Sequence, residues 1–156
     1  MARRPSRNAR SRPARDAAAG LGAGPAPAAP VDCPCGAGPA YAECCGRFHR
    51  GEGAAATAEA LMRSRYAAFV VRDAGYLLRT WHPSTRPPVV EFDPALRWTG
   101  LEITGTGEGS AFHAVGTVSF RASYLEDGRA GALVERSRFA RVDGAWVYVD
   151  GEFGEG

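Results

Sequence analysis

The chain has no lysine. All nineteen basic residues are arginine, a bias of composition that still removes Schiff-base chemistry through a lysine amine. No segment is long and apolar enough to cross a bilayer as a helix. No cysteine lies outside residues 33–45, so no thiol nucleophile is available elsewhere. There is no G-x-S-x-G, no H-E-x-x-H and no phosphate loop, which leaves the common nucleophile, metalloprotease and nucleotide motifs unfilled. No secretory signal is evident. The twin arginines Arg3 and Arg4 would suit an export signal, but the apolar region that must follow is replaced by Arg7, Arg10, Arg12 and Arg15. A cytoplasmic location is the expectation.

What the chain does have is a thiol cluster. The stretch CPCGAGPAYAECC holds Cys33, Cys35, Cys44 and Cys45 within thirteen residues. Gly36, Gly38 and Pro39 let the backbone reverse between the two pairs, so four sulfurs can converge on one tetrahedral zinc ion. Two short-range disulfides and a C-x-C redox pair are the competing readings. The first lacks a secretory context, and the second fits two adjacent downstream cysteines less well. His49, just past Cys45, is an alternative fourth ligand. With four protein ligands no position remains for water, so one structural zinc is expected rather than a catalytic one.

At 156 residues with 45% apolar content, the chain suits one globular domain with small attachments. Its net charge of +2 hides a split: residues 1–30 carry +5 and residues 31–156 carry −3. The first thirty residues are Arg-, Pro-, Ala- and Gly-rich with Leu21 as the one large aliphatic side chain, and a disordered tail is expected there. The knuckle is placed at 31–50 and the folded domain at 54–152.

A helix is predicted from Thr57, as N-cap, to Arg72, with Met62, Tyr66 and Phe69 forming its buried stripe and Arg65 at the margin of that face. Asp73 caps a second short helix running to Trp81, which His82-Pro83 ends. Residues 84–94 read as a proline-rich loop, and 94–98 as a single helical turn. From Leu101 the period changes to that of strands: Leu101–Ile103, Phe112–Leu125, Ala130–Val142 and Ala145–Val149, parted by Glu108-Gly109, Asp127-Gly128 and Asp143-Gly144. Helices first and a meander afterwards predict an α+β domain, its helices packed on a curved antiparallel sheet.

On the third strand Leu133, Glu135, Ser137 and Phe139 share one face, and on the fourth Trp146, Tyr148 and Asp150 do. An apolar surface with a few placed polar groups resembles a pocket lining. Arg65, Trp81, Ser137 and Trp146 are the ligand-pocket candidates. For chemistry in such a pocket His82 would be acid or base, Glu135 a carboxylate whose pKa burial raises, Tyr148 a hydrogen-bond donor and Arg65 an anion clamp. Each has a structural reading beside it: His82 as a packing residue at a helix end, Glu135 as the partner of Arg65 or Arg63 in an ion pair, and Tyr148 and Trp146 as core.

The stretches CPCGAGPAYAECC, LMRSRYAAFVVRDAGYLLRTWHPST and LVERSRFARVDGAWVYVDG resemble the YchJ-type family of uncharacterised bacterial proteins, over nearly all of residues 32–151. The cysteine segment is similar to the C-x-C-x8-C-C zinc motif at the C-terminus of the SecA translocase. The remainder resembles nuclear-transport-factor-2-like, or cystatin-like, domains: a cone of curved sheet around helices. Ala37 and Pro39 stand where the family motif usually has Ser and Lys, which weakens what the resemblance implies about docking by the knuckle. A second cysteine motif found in some members is missing from the C-terminal end, and the basic tail is extra.

The resemblance implies no reaction. A binding module is the leading expectation, its zinc knuckle docking on a protein partner and its cone holding a small-molecule ligand or acting as a scaffold. An acid–base isomerase or dehydratase using the cone cavity is the alternative. Nucleic-acid binding through the arginine tail ranks third, because the body is mildly acidic and the knuckle interleaves few aromatics with its basic residues. A homodimer through the outer sheet face is the oligomeric expectation implied by the cone resemblance, with Arg136 and Arg138 on that face counting against it.

Overall fold

The structure is a computed structural model and describes residues 28–154. A short turn of 3-10 helix at Tyr41–Glu43 leads into α1 (Cys45–His49), α2 (Ala58–Val71) and α3 (Ala74–Arg79). Four strands follow, β1 (Leu96–Glu108), β2 (Val115–Glu126), β3 (Arg129–Val142) and β4 (Ala145–Phe153). They form one antiparallel sheet in chain order, β1-β2-β3-β4. The helices pack on one face of it, which is the α+β arrangement that the sequence pattern predicts. The tail expected at 1–30 falls almost wholly on residues 1–27, outside the described residues.

Local chemistry sets the helix ends. The Thr57 hydroxyl accepts the Ala60 amide at 3.0 Å and starts α2, satisfying one of the orphan donors of a helix N-terminus. Arg72 stops α2 in a left-handed conformation, φ 62°. The Asp73 carboxylate accepts the Tyr76 amide at 2.9 Å and starts α3. That helix ends at Arg79 and not, as expected, at Trp81. The Tyr148 amide donates to the Thr80 carbonyl at 2.8 Å and the His82 amide to the Tyr148 carbonyl at 2.7 Å, so the outer edge of β4 captures the chain two residues early.

Two other expectations are corrected. Residues 94–98 are not a helical turn: Asp93 closes a tight turn onto Ala95 and Leu96, and β1 begins at Leu96, because Leu96 and Trp98 pair with Glu126 and Tyr124. Phe112 is not in a strand. It lies in the β1–β2 loop, 96% exposed, because the carbonyls of Ala111 and His113 are held by the Arg141 guanidinium at 3.0 and 2.7 Å. The strand begins three residues later.

The two hairpins were legible from their turns. Asp127-Gly128 and Asp143-Gly144 adopt φ of 52° and 81°, and 53° and 85°, the doubly left-handed geometry that matches strand twist. Curvature comes from bulges. Thr99 and Thr104 stand unpaired on β1 and Val149 on β4, each adding a residue that bends its strand.

α2 is buried on more than one side. Leu61, Met62 and Tyr66 pack with Val118, Phe120, Ala122, Phe139 and Trp146 of the sheet. Ala67 packs with Cys33, Cys35 and Cys45, and Ala68 with Tyr76, Leu77 and Val90. Arg65, expected at the margin of the buried face, is only 4% exposed. A helix enclosed in this way shows no single apolar stripe, and the small residues at 67 and 68 mark the close approaches instead.

Replacing Thr57 with Ala removes the cap of this central helix and is expected to cost about 1 kcal/mol. Thr57→Ser should retain most of the stability. Urea unfolding followed by circular dichroism reads both, and equal midpoints for wild type and Thr57→Ala would show that the cap contributes nothing.

Candidate metal centre and buried polar cluster

The four cysteines meet although eight residues separate the two pairs. Gly36 and Gly38, at φ 81° and 122°, turn the chain back so that the Asp32 and Ala40 backbones bridge. Gly46 lets α1 lie against the preceding turn: a Cβ there would stand 2.6 Å from the Tyr41 carbonyl oxygen. The result places one sulfur from each of Cys33, Cys35, Cys44 and Cys45 within 4.8 Å of one another. A tetrahedral ion with metal–sulfur bonds of about 2.3 Å sets its ligands about 3.8 Å apart, and Cys35 and Cys44 lie at 3.7 Å. The donor set therefore fits a metal ion.

Its electrostatics point the same way. A hydrogen bond from Cys45 is the main effect that pulls the Cys35 thiol down to about 5. Burial pushes Cys44 up to about 11, and the hydrogen bond to Cys35 raises Cys45. The Cys35 thiolate forms readily, and Cys44 and Cys45 resist its negative charge. A divalent cation at the centre removes that repulsion, and ligand deprotonation then accompanies metal binding.

His49 is not part of this set. The Tyr41 hydroxyl donates to its Nδ1 at 2.6 Å, and its Nε2 donates to the Ser64 carbonyl at 2.9 Å. Both ring nitrogens are engaged, which fixes a neutral tautomer, and burial lowers its pKa below the usual histidine value. The ring sits between Tyr41 and Tyr76, 5.5 and 4.7 Å away. His49 thus joins the knuckle to α2 and α3. A second tie is Arg63, whose Nη1 donates to the Cys35 carbonyl at 2.6 Å while Nε pairs with Glu59 at 3.0 Å. Sequence reasoning missed the Tyr41–His49–Ser64 connection, because it spans elements whose packing only the fold defines.

The second constellation lies where the sheet faces α2 and α3. Glu135 is 7% and Ser137 1% exposed. Ser137 Oγ and the Tyr148 hydroxyl both donate to Glu135 Oε2, at 2.9 and 3.0 Å. Arg65 is neither the ion-pair partner of Glu135 nor replaced in that role by Arg63. Its Nη1 donates to the Leu77 carbonyl and Thr80 hydroxyl at 2.8 and 2.7 Å, and its guanidinium lies over Trp81 and Tyr148, 4.9 and 4.8 Å from their ring centres. Burial lowers Arg65 to about 10, so it stays cationic at neutral pH. Burial also raises Glu135, opposed by the Ser137 and Tyr148 hydrogen bonds and by the field of Arg65. Tyr148 is pushed up by burial and then by the Glu135 charge.

One residue departs from the face pattern, and two candidates stand apart from the Glu135 cluster. Asp150 leaves the inner face, because the bulge at Val149 turns it outward to a bidentate pair with Arg138 at 2.6 Å. His82 is half-exposed, and its Nδ1 accepts from the Ser84 amide and hydroxyl at 3.0 and 2.9 Å. Trp146 is core, its indole donating to the Ala56 carbonyl at 3.1 Å. Gly151 was not singled out by the sequence reading: a Cβ at that position would overlap the Glu135 carboxylate, so the acid is seated against bare backbone.

A curved antiparallel sheet carrying helices on one face, led by a four-thiol knuckle, defines a small cone-type domain with an attached metal-site motif. The family model described as "YchJ, middle NTF2-like domain" matches residues 57–151, and the chain belongs to this family. A UPF0225 protein of Streptomyces avermitilis is 68% identical over 126 residues, 81% of this chain and 87% of its own length. One from Ralstonia nicotianae is 51% identical over 140 residues, covering 82% and 95%. Among solved structures, a SEC-C motif containing protein from Rhodopseudomonas palustris superposes with a TM-score of 0.69 at 33% identity, over 79% of this chain and 98% of that one. One from Psychrobacter arcticus, 24% identical, shares the fold with a TM-score of 0.63 over 80% and 83%. No helix among the described residues is long and apolar enough to cross a membrane.

The buried carboxylate carries a pH signature. With its folded pKa raised, Glu135 holds its proton in the native state to a higher pH than in the unfolded state, near 4.5. Its contribution to stability therefore declines as pH rises from about 4.5 through the folded value. The stability of wild type minus that of Glu135→Gln should fall across that interval. Urea midpoints measured at several pH values read the difference, and a flat or rising difference would contradict a raised pKa.

Proposed function

We propose that this protein is a zinc-carrying docking module. The carrying observation is the convergence of four cysteine sulfurs within 4.8 Å on a knuckle tied to the folded domain through His49 and Arg63. Thiolates in a closed tetrahedral set favour Zn²⁺, and a closed set stabilises a shape rather than a reaction. Cys33, Cys35, Cys44 and Cys45 are its ligands. The exposed rim of the knuckle, Gly36 to Ala40 with Glu43 and Arg47, is the surface offered to a protein partner. The similarity to SEC-C motif proteins supports this reading. Reduced thiols of this kind belong in a reducing compartment such as the cytoplasm.

A second reading keeps the cone as an acid–base site. The observation favouring it is the pairing of a buried Glu135, its pKa raised by burial, with the Tyr148 hydroxyl at 3.0 Å. Against it, both hydrogen bonds end on one carboxylate oxygen and the group is packed against Gly151, as in a structural cluster. Arginine-tail binding to nucleic acid stays the least supported of the three.

Native mass spectrometry of protein purified without added metal should show about one zinc per chain, lost in Cys44→Ser. The docking reading requires Cys44→Ser to lose its partner while circular dichroism of the sheet persists. His49→Ala should keep the zinc yet raise hydrogen exchange across 33–49. If Cys44→Ser unfolds the whole chain, the knuckle is a structural staple and the docking reading fails. A retained adduct of small-molecule mass would favour the cone-site reading instead.

A further inference from the structure

α3 stands between the thiol knuckle and the Glu135 cluster. On the knuckle side its last residue holds the end of α1: Arg79 Nη2 donates to the His49 and Phe48 carbonyls at 2.9 and 3.3 Å, acceptors of the kind that a helix C-terminus leaves without partners of its own. The Arg79 guanidinium lies over the Tyr76 ring, 4.9 Å from its centre, and that ring packs on His49 at 4.7 Å. On the sheet side the Leu77 carbonyl and the Thr80 hydroxyl accept from Arg65. α1 has five residues and α3 six, so neither is stable as a helix without its contacts. Cys44 and Cys45 stand at the start of α1, and closing a thiolate site around a metal supplies folding free energy to the segment that carries the ligands.

Beyond α3 the chain forms a strap on the outer edge of β4. Three hydrogen bonds hold it there: the Tyr148 amide to the Thr80 carbonyl at 2.8 Å, the His82 amide to the Tyr148 carbonyl at 2.7 Å, and the Thr85 hydroxyl to the Val149 carbonyl at 2.7 Å. Trp81, between them, covers Arg65 and meets Tyr148 edge to face at 5.3 Å. Its indole N–H is buried and meets no acceptor among the described residues. Lifting the strap gives that donor to water, so the closed position costs the desolvation of an unpaired group and depends on how firmly α3 is placed. We propose that residues 80–86 are a metal-dependent strap: with the knuckle loaded, α1 and Arg79 fix α3 and hold the strap on β4, and with the metal removed the strap lifts, uncovering the β4 edge and the face of Arg65 beneath Trp81. This rests on the proposed zinc site at Cys33, Cys35, Cys44 and Cys45. The link is a coupling free energy, so it acts in both directions: metal binding favours the closed strap by the factor by which the closed strap favours metal binding.

The test uses the full chain, isotope-labelled, with zinc content read by native mass spectrometry in each sample. Hydrogen exchange of the Tyr148 and His82 amides, which close the strap, is compared with that of the amides of β2, a strand paired on both sides, before and after a chelator removes zinc. Removal should speed exchange of the two strap amides by about five-fold or more, shift the Trp81 indole signal and leave β2 protected, and Zn²⁺ added back should reverse all of this. Arg79→Gln should speed the strap amides in zinc-loaded protein and lower zinc affinity in a chelator competition by a comparable factor. Arg79→Lys, which keeps a donor for the two carbonyls, should return most of both. Zinc removal from Arg79→Gln should then add little to strap exchange, because the connection is already broken. Strap exchange that is the same with and without zinc, in a chain that binds zinc, would overturn the proposal and leave the metal site standing. So would acceleration of β2 as large as that of the strap, which would make the knuckle a staple for the whole fold, or a zinc affinity that Arg79→Gln leaves unchanged. A chain that takes up no zinc would overturn the proposal together with the metal site it rests on.

Discussion

The structure depends on the burial of α2 against the sheet, the thiol knuckle and α3. A helix can accept such close neighbours only where its side chains are small, and Ala67 and Ala68, both 0% exposed, occupy those contacts. Buried Ser64 and Arg65 are paired with Tyr76 and Thr80 of the α3 segment. Polar groups removed from water are tolerated on these terms because each finds a partner. The central helix is therefore fixed both by packing and by hydrogen bonds to what surrounds it.

The knuckle is held to this helix by polar ties as well as by contact. Cys35 reaches Arg63 through its carbonyl, and His49 reaches Ser64 through its ring. Arg79 adds a hydrogen bond to the His49 carbonyl at 2.9 Å and lies over the Tyr76 ring. A metal site carried on a free loop would be a tethered appendage. Here the cysteines share a packed cluster with α2, so the orientation of the knuckle rim is set by the body of the protein. That favours a docking surface over a redox centre, which needs an accessible thiol; three of the four cysteines are buried.

The Glu135–Tyr148–Arg65 cluster illustrates how a pocket-like sequence pattern can yield a packed interior. Inward polar residues on strands invite a cavity reading, yet Trp81, Phe139 and Tyr148 pack together over them. Arg65 keeps its charge through cation–π contacts and neutral acceptors, without a direct carboxylate partner. Glu135 is stabilised by hydroxyl donors and by the field of that cation, an arrangement that avoids the geometric demands of a fully buried ion pair.

Sequence by itself determined what is local. Cysteine spacing, the Thr57 and Asp73 caps, the two Asp-Gly hairpins and the switch from helical to strand period are each written within a few residues, where backbone sterics and single hydrogen bonds decide the outcome. The resemblance carried by three stretches supplied the family and the cone topology. What only the tertiary structure decided is long-range. It assigned His49 to Tyr41 and Ser64 instead of to the metal. It turned Asp150 outward through one unpaired residue at Val149, which reverses every side chain beyond it. It ended α3 early on the edge of β4, and it seated Glu135 on Gly151. These outcomes depend on partners far along the chain meeting at distances of a few ångströms, and periodicity along one segment does not encode which distant segment it will meet.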